Sequence, residues 1–108
     1  MLNEILSGAD FALDGLPFRE TCWQKPPAAP YGVYLRETVR RGADRKNCIS
    51  EHSISLELYA RAPDLASERK IEAALDALPV QYIKTERQWL NTELLYMTIY
   101  DFEIIRKD

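Results

Sequence analysis

Residues 51 to 59 alternate between polar and apolar side chains, and this pattern restricts the possible folds more than any other in the chain. A two-residue period is typical of a β-strand with one face in a core and the other face wetter. The apolar side carries Ile54, Leu56 and Leu58. A chain of 108 residues has room for one hydrophobic core. The remaining segments must cover this strand, so we predict a single domain over residues 1–108.

Two segments show the spacing of an amphipathic helix. The first is ended by Gly15 and Pro17, and its apolar residues are Leu2, Ile5, Leu6, Ala9 and Leu13. The second begins at Asp64, a predicted N-cap, and is stopped by Pro79. Its apolar side consists of Leu65, Ile71, Ala74, Leu75 and Leu78. Each helix therefore has one face to bury against a sheet.

The other segments predict strands separated by connectors. Strands are expected over residues 18–23, 31–35, 51–59, 80–85 and 91–106, with a proline-rich extended connector at 24–30 and an exposed loop or hairpin tip at 38–47. The order α-β-β-β-α-β-β indicates an α+β domain whose antiparallel or mixed sheet of four to five strands has two helices packed on one face. One buried cluster is expected from Leu56, Leu58, Ile71, Leu75, Leu78 and Tyr100.

The last predicted strand is apolar on both faces. One face carries Leu94, Tyr96, Thr98, Tyr100, Phe102 and Ile104, and the other carries Leu95, Met97, Ile99 and Ile105. A strand of this kind is central in its sheet or is covered by another chain.

The sequence does not favour an enzyme. Cys48 and His52 are close in sequence and Cys22 is a third candidate, but nucleophilic catalysis needs a base and a group that orients it, and zinc needs three or four ligands in close spacing. We place His52 on the polar face of its strand. The four glycines are isolated, so no phosphate-binding loop is predicted. The strand carboxylates Glu51, Glu57, Glu93 and Glu103 are explained by solvated sheet edges. We expect no catalytic residue, metal or cofactor.

Composition and charge exclude several other classes. The chain has no apolar run near the ~18 residues that a membrane span requires. Asn3 and Glu4 stand where a signal peptide has basic residues, and the two cysteines fit free thiols of a reducing cytoplasm. The formal charge of −3 argues against a general polyanion binder, and no motif indicates sequence-specific nucleic-acid recognition.

Two opposite charge patterns are the most informative feature for function. Between residues 36 and 46 five basic residues stand against two acidic ones, a local excess of +3, and the basic residues at its end are Arg40, Arg41, Arg45 and Lys46. An acidic row with a spacing of four follows on the second helix, at Asp64, Glu68, Glu72 and Asp76. The basic segment is compatible with a solvated hairpin tip. The alternative is that subunits meet through these unlike surfaces, and such head-to-tail contacts close into rings.

The chain also resembles a known family over nearly its whole length, through the order and spacing of short motifs. These are the run Pro-Pro-Ala-Ala-Pro-Tyr-Gly-Val-Tyr at 26–34, the turn Gly42-Ala43-Asp44-Arg45-Lys46, the segment Leu56–Tyr59 followed by Asp64 and Glu68, and the pairs of motifs at 92–96 and 100–104. They are similar to those of the tail-terminator, or tail-completion, proteins of phages with long non-contractile tails. Arg40-Arg41-Gly42 is more basic than the corresponding part of that family.

The resemblance implies a structural protein and no reaction. It implies a subunit that forms a ring, a hexamer, which caps the tail tube and joins it to the head connector. The implied partners are further copies of the chain, the tail tube protein and the head-completion or connector protein. The implied location is the head–tail junction of the virion, after synthesis in the bacterial cytoplasm. Alternatives are another phage head-completion or minor tail protein, a ferredoxin-like ligand-binding or regulatory domain, and a small toxin or nuclease.

Overall fold

The computed structural model describes residues 2–41 and 49–107, with side chains for residues 2–39 and 50–105. The elements in chain order are α1 (Leu2–Ser7), β1 (Phe11–Leu13), β2 (Leu16–Glu20), β3 (Tyr31–Arg41), β4 (Ile49–Ala60), α2 (Leu65–Asp76), β5 (Tyr82–Lys84), β6 (Gln88–Leu90) and β7 (Leu95–Lys107). Within these residues seven strands form one sheet in the order β1-β2-β3-β4-β7-β5, and β6 also pairs with β7. Neighbouring strands are antiparallel except for β2 and β3, which are parallel. The protein is therefore an α+β domain with a mostly antiparallel sheet.

The core lies between one face of this sheet and the two helices. Register places Tyr34, Leu56 and Tyr100 side by side on β3, β4 and β7. The helices cover this face with Ile5 from α1 and with Ile71 and Leu75 from α2, all fully buried. The predicted cluster is confirmed; its sixth member, Leu78, is half-buried against the others. We call this the helix face and the opposite side the open face.

The N-terminal prediction is wrong in its extent. The first helix ends at Ser7, and residues 11–20 form a hairpin in place of a continued helix; its second strand overlaps the predicted strand 18–23 at residues 18–20 but starts two residues earlier and ends at Glu20. Asp14 and Gly15 join its strands with φ values of 49° and 86°. A two-residue hairpin turn with positive φ at both positions strongly favours Asp-Gly. The dipeptide Asp14-Gly15 was the local signal for this hairpin, and it outweighs the helical spacing of Ala9 and Leu13.

The helix α2 matches its prediction. Asp64 is the N-cap, and its carboxylate accepts a hydrogen bond from the backbone N–H of Ser67 at 3.0 Å. Leu65 departs from the prediction because it is 55% exposed, at the first turn.

The strands are longer and more numerous than predicted. β3 continues to Arg41 through residues expected in a loop, and β4 extends one or two residues beyond each predicted end. The last strand starts at Leu95; the residues before it form β6 and a turn, in which Leu94 has a φ of 56° and is 62% exposed rather than on the core face. The predicted strand over 80–85 shortens to β5. The observed order is α-β-β-β-β-α-β-β-β, with seven strands in place of four to five.

Candidate interaction surface

The three longest strands continue together past the part of the sheet that the short strands cover. β2 pairs with β3 only at Gly32 to Tyr34, and β5 reaches β7 only as far as Phe102. Beyond these points β3, β4 and β7 remain paired with each other, to Arg41, Ile49 and Lys107. We call this three-stranded extension the arm; it comprises residues 35–41, 49–55 and 101–107, and β5 still borders its residues 101 and 102. The domain measures 48 × 28 × 23 Å.

Two of the four predicted basic residues belong to the end of the arm. Arg40 and Arg41 are the last residues of β3, where register pairs them with Ser50 and Ile49. Arg45, Lys46 and Cys48 lie outside the described residues.

The predicted acidic row lies on α2, but two of its members are engaged inside the subunit. Glu68 is 2% exposed and accepts hydrogen bonds from Lys84 Nζ at 2.8 Å and from Arg87 Nε at 2.5 Å. Glu72 accepts from the same ammonium at 2.9 Å and from the Tyr100 hydroxyl at 2.8 Å. Lys84 of β5 therefore pairs with both carboxylates, and Arg87, just before β6, pairs with Glu68.

The ionisation of this cluster follows from its contacts. Burial acts to raise the pKa of Glu68, but the hydrogen bonds from Arg87 and Lys84 outweigh burial and leave that pKa below its usual value. The hydrogen bond from Lys84 lowers the pKa of Glu72, and the hydrogen bond to Glu68 raises the pKa of Lys84. Burial first, and then the hydrogen bond to Glu72, raise the pKa of the Tyr100 hydroxyl far above its normal range. All four groups therefore keep their usual charge at neutral pH.

The two ends of the acidic row are more accessible than its middle. Asp64 is half-buried and serves as the N-cap of α2, where the hydrogen bond from the Ser67 backbone lowers the pKa of its carboxyl. Asp76 is exposed at the C-terminal end of the helix. Whether the acidic row meets the basic residues of a neighbouring subunit stays a prediction.

The open face divides into a covered end and an uncovered arm. At the covered end the Trp23 indole N–H donates to the Gly32 carbonyl at 2.8 Å, and the rings of Tyr31 and Tyr59 stack with centroids 5.4 Å apart. Val33 is only 5% exposed there. On the arm, in contrast, apolar residues are exposed at the outer strands: Leu35 (40%), Val39 (47%) and Ile105 (68%), with Ile83 (71%) of β5 beside them.

On the arm's open face, the central strand carries only polar residues among those whose side chains are described. Alternation and register place Glu51, Ser53 and Ser55 between the apolar outer residues, with Glu37 and Glu103 in the same row as Ser53. The Ser55 hydroxyl donates to the Asp101 carboxylate. The apolar surface of this face is therefore concentrated at its two edges. The apolar second face of β7 indicated part of it, but Val39 was missed because its strand was predicted to end at residue 35.

His52 lies beside a hydroxyl of the neighbouring strand. Register puts His52 on the helix face beside Ile104, not on the polar face as predicted. The Thr38 hydroxyl and His52 Nδ1 are 3.1 Å apart across two strands. Cys22 is exposed as a free thiol. In the part of the chain that the structure describes, no group of three or more His, Cys, Asp or Glu side chains is placed to hold a metal ion.

Comparison with known proteins adds no relative. No protein-family model matches the sequence, and no curated protein matches it. No helix within residues 2–41 and 49–107 is long and apolar enough to cross a membrane.

Proposed function

We propose that this protein is a structural subunit of a phage with a long non-contractile tail, and that it forms a hexameric ring which caps the tail tube and joins it to the head connector. The observation that carries the proposal is the arm, a paired three-stranded extension with exposed apolar edges and with Arg40 and Arg41 at the end of β3. An arm of this kind exposes backbone and apolar surface that assembly buries.

Charge supports a role in assembly as well. Arg40 and Arg41 end β3, and Arg45 and Lys46 follow them in the sequence of a chain whose formal charge is −3. Complementary charges mainly set partner choice and orientation, while apolar contact supplies affinity. The proposed acceptors are the acidic row of a neighbouring copy, or the tube or connector protein. Asp76 is the exposed member of the row and is therefore the most accessible acceptor. Glu68 is already bonded to Lys84 and Arg87.

The other proposals follow from the same role. The function is non-enzymatic, the protein is made in the bacterial cytoplasm, and it is located at the head–tail junction of the virion. A ferredoxin-like ligand-binding domain is built in the order β-α-β-β-α-β, and the order observed here differs from it. Another head-completion or minor tail role is the closest alternative, because it shares the assembly chemistry but has different neighbours.

The purified protein provides a direct test. We expect particles with the mass of six chains by light scattering and six-fold rings by negative-stain electron microscopy, either alone or after addition of tail tubes. Rings bound at the ends of tubes support the terminator role. A protein that remains free of tube ends at every ratio of chain to tube contradicts it.

A further inference from the structure

The outer edge of β7 is open at its C-terminal part. β4 pairs with β7 along one side as far as Lys107, but on the other side β5 stops at Phe102. In the described residues no strand lies beside Glu103 to Lys107 on that side. An edge strand left open in this way offers a row of backbone donors and acceptors to another strand.

There is room beside this edge, and apolar surface around it. A groove of about 660 Å³ lies next to it; Pro79 to Ile83 form one wall, and Glu103 and Ile105 belong to the other. Ile83 and Ile105 are 71% and 68% exposed, more than any other large apolar side chain described. A strand added to β7 would therefore cover apolar surface as well as pair backbone groups.

The sequence of this edge, Glu103-Ile104-Ile105-Arg106-Lys107, is complementary to itself. In an antiparallel pair centred on Ile105, Glu103 stands opposite Lys107 of the partner subunit and Ile105 stands opposite Ile105 of the partner subunit. The same charge pair recurs on the other side of the two-fold axis. Opposite charges placed directly across a strand pair are stabilising, and like charges are destabilising.

The competing edge-to-edge contact lacks this match. β3 and β7 run in the same direction, so a contact between unlike edges that keeps the open faces together must be parallel. The parallel alignment that brings Val39 next to Ile105 also brings Glu37 next to Glu103 and Arg41 next to Lys107. Both of these are pairs of like charge.

The β3 edge has the same charge alternation, since an antiparallel pair centred on Val39 sets Glu37 opposite Arg41 of the partner subunit, but it offers less apolar surface than the β7 edge. Its apolar side chains, Leu35 and Val39, are less exposed than Ile105. On the helix face of the same strand, the Arg36 guanidinium is bound to α1: it donates to the Leu6 carbonyl and to the Ile5 carbonyl at 3.2 Å.

We propose that β7 pairs antiparallel with β7 of a second copy of this chain, about a two-fold axis at Ile105. The two arms then form a continuous six-stranded sheet in the order β3-β4-β7-β7-β4-β3. This contact goes beyond the proposed function and does not depend on it, because a two-fold contact uses one surface twice whereas a ring contact joins two unlike surfaces.

A charge-exchange experiment tests the pairing. The wild-type chain is compared with Glu103→Lys, Lys107→Glu and the double variant by sedimentation velocity over a range of concentrations. Each single variant is expected to raise the dimer dissociation constant by about tenfold, because the reversal turns two cross-strand attractions into two repulsions. The double variant restores both pairs and should return within about threefold of the wild type, since the geometry is unchanged. An equimolar mixture of the two single variants should form the mixed dimer.

Glu37→Lys is the matched control, since it reverses a carboxylate on the same open face at the opposite edge of the arm. Circular dichroism checks that each variant folds. The proposal is overturned if the wild-type chain shows no dimer, if the single variants dimerise normally, if the double variant fails to recover, or if Glu37→Lys has the effect expected of Glu103→Lys. Hexamers that are insensitive to these reversals would reject the β7 contact and leave the ring proposal standing. The expected dimer pattern without rings would support the β7 contact and reject the ring proposal.

Discussion

Glu68 is the one charged side chain that is fully buried among those described, and it lies between two cations that are only partly exposed. Removing one member of such a group leaves the others without their partner. We expect Glu68→Gln to lower the free energy of unfolding by about 1–3 kcal/mol, a value reduced for the solvent exposure of Lys84. Urea denaturation checks this, with the exposed neighbour Glu86→Gln as the control. Equal stability of the two variants would show that the cluster contributes little.

The same cluster predicts how stability changes with pH. The pKa values of Glu68 and Glu72 are lowered in the folded protein, so their contribution is present above the unfolded value of 4.5 and is lost as the pH falls through the folded values. The pKa of Lys84 is raised, so its contribution is complete below 10.5 and is lost as the pH rises above it. The urea concentration at the midpoint of unfolding should therefore decrease when the pH is lowered below 4.5 and when it is raised above 10.5. In the double variant Glu68→Gln with Glu72→Gln, the decrease in this midpoint below pH 4.5 should become smaller. An unchanged decrease would mean that other carboxylates cause it.

Among the elements, the contact between β2 and β3 depends on a glycine, Gly32, which has no side chain to meet the ring packed against it. A Cβ at Gly32 would lie 2.2 Å from the ring of Phe18, which is fully buried. We expect Gly32→Ala to destabilise the fold by about 1–3 kcal/mol or more, the range for overpacked cores. Gly15→Ala is the comparison, because it meets no atom within 4 Å and is strained only by its φ of 86°. Gly15→Ala should cost about 1 kcal/mol. A larger loss at Gly15 than at Gly32 in thermal melts would contradict this ranking.

The packing of α2 on the sheet gives a second prediction at this scale. Leu75 is fully buried in the core cluster, so Leu75→Ala should lower the free energy of unfolding by about 2–5 kcal/mol. Leu65→Ala changes a residue of the same type and helix that is 55% exposed, and it should have a small effect. A loss below half a kcal/mol for Leu75→Ala in denaturant titrations would mean that this face of the helix is not in the core.

The elements also show which sequence signals were sufficient. α2 and β4 were predictable because a complete amphipathic period, an N-cap at Asp64 and alternation around Leu56 agree locally with the final packing. β1 and β6 have three residues each, too few for a period to be recognised, and the Asp14-Gly15 turn was the one local sign of the first. The polar end of β3 is a strand because β4 pairs with it, and this is a tertiary cause that local composition does not contain.

At the scale of the whole molecule, apolar residues that form the core and apolar residues that stay exposed lie on opposite faces of the sheet. Within residues 2–39 and 50–105 both helices cover the helix face near Tyr34 and Tyr100, while the open face of the arm keeps apolar residues exposed at both edges. β7 belongs to both parts: it is paired on both sides up to Phe102 and on one side from Glu103 onward. Its apolar character on both faces predicted either a central position or cover by another chain. The first is confirmed for its N-terminal half, and the second stays a prediction for Ile105.

The basic segment, in which Arg40 and Arg41 end β3, yields the last prediction. Exposed ion pairs contribute only about 0.2–1 kcal/mol each and are screened by salt, so removing charge should weaken ring assembly less than reversing it. We expect Arg41→Glu with Arg45→Glu to slow assembly more than the corresponding alanine pair, and raised salt to slow the wild-type chain. Light scattering at several salt concentrations measures this.

Adding Asp76→Lys to the reversed variant then identifies the acceptor of the basic segment. Recovery of assembly places the exposed end of the acidic row opposite the basic segment of the neighbouring copy. A reversed variant that recovers only with a tube or connector protein carrying compensating charges places the acceptor on that protein. Normal rings from the reversed variant, with salt dependence unchanged, would remove the basic segment from the interface and leave apolar contact and strand pairing as the means by which the arm assembles.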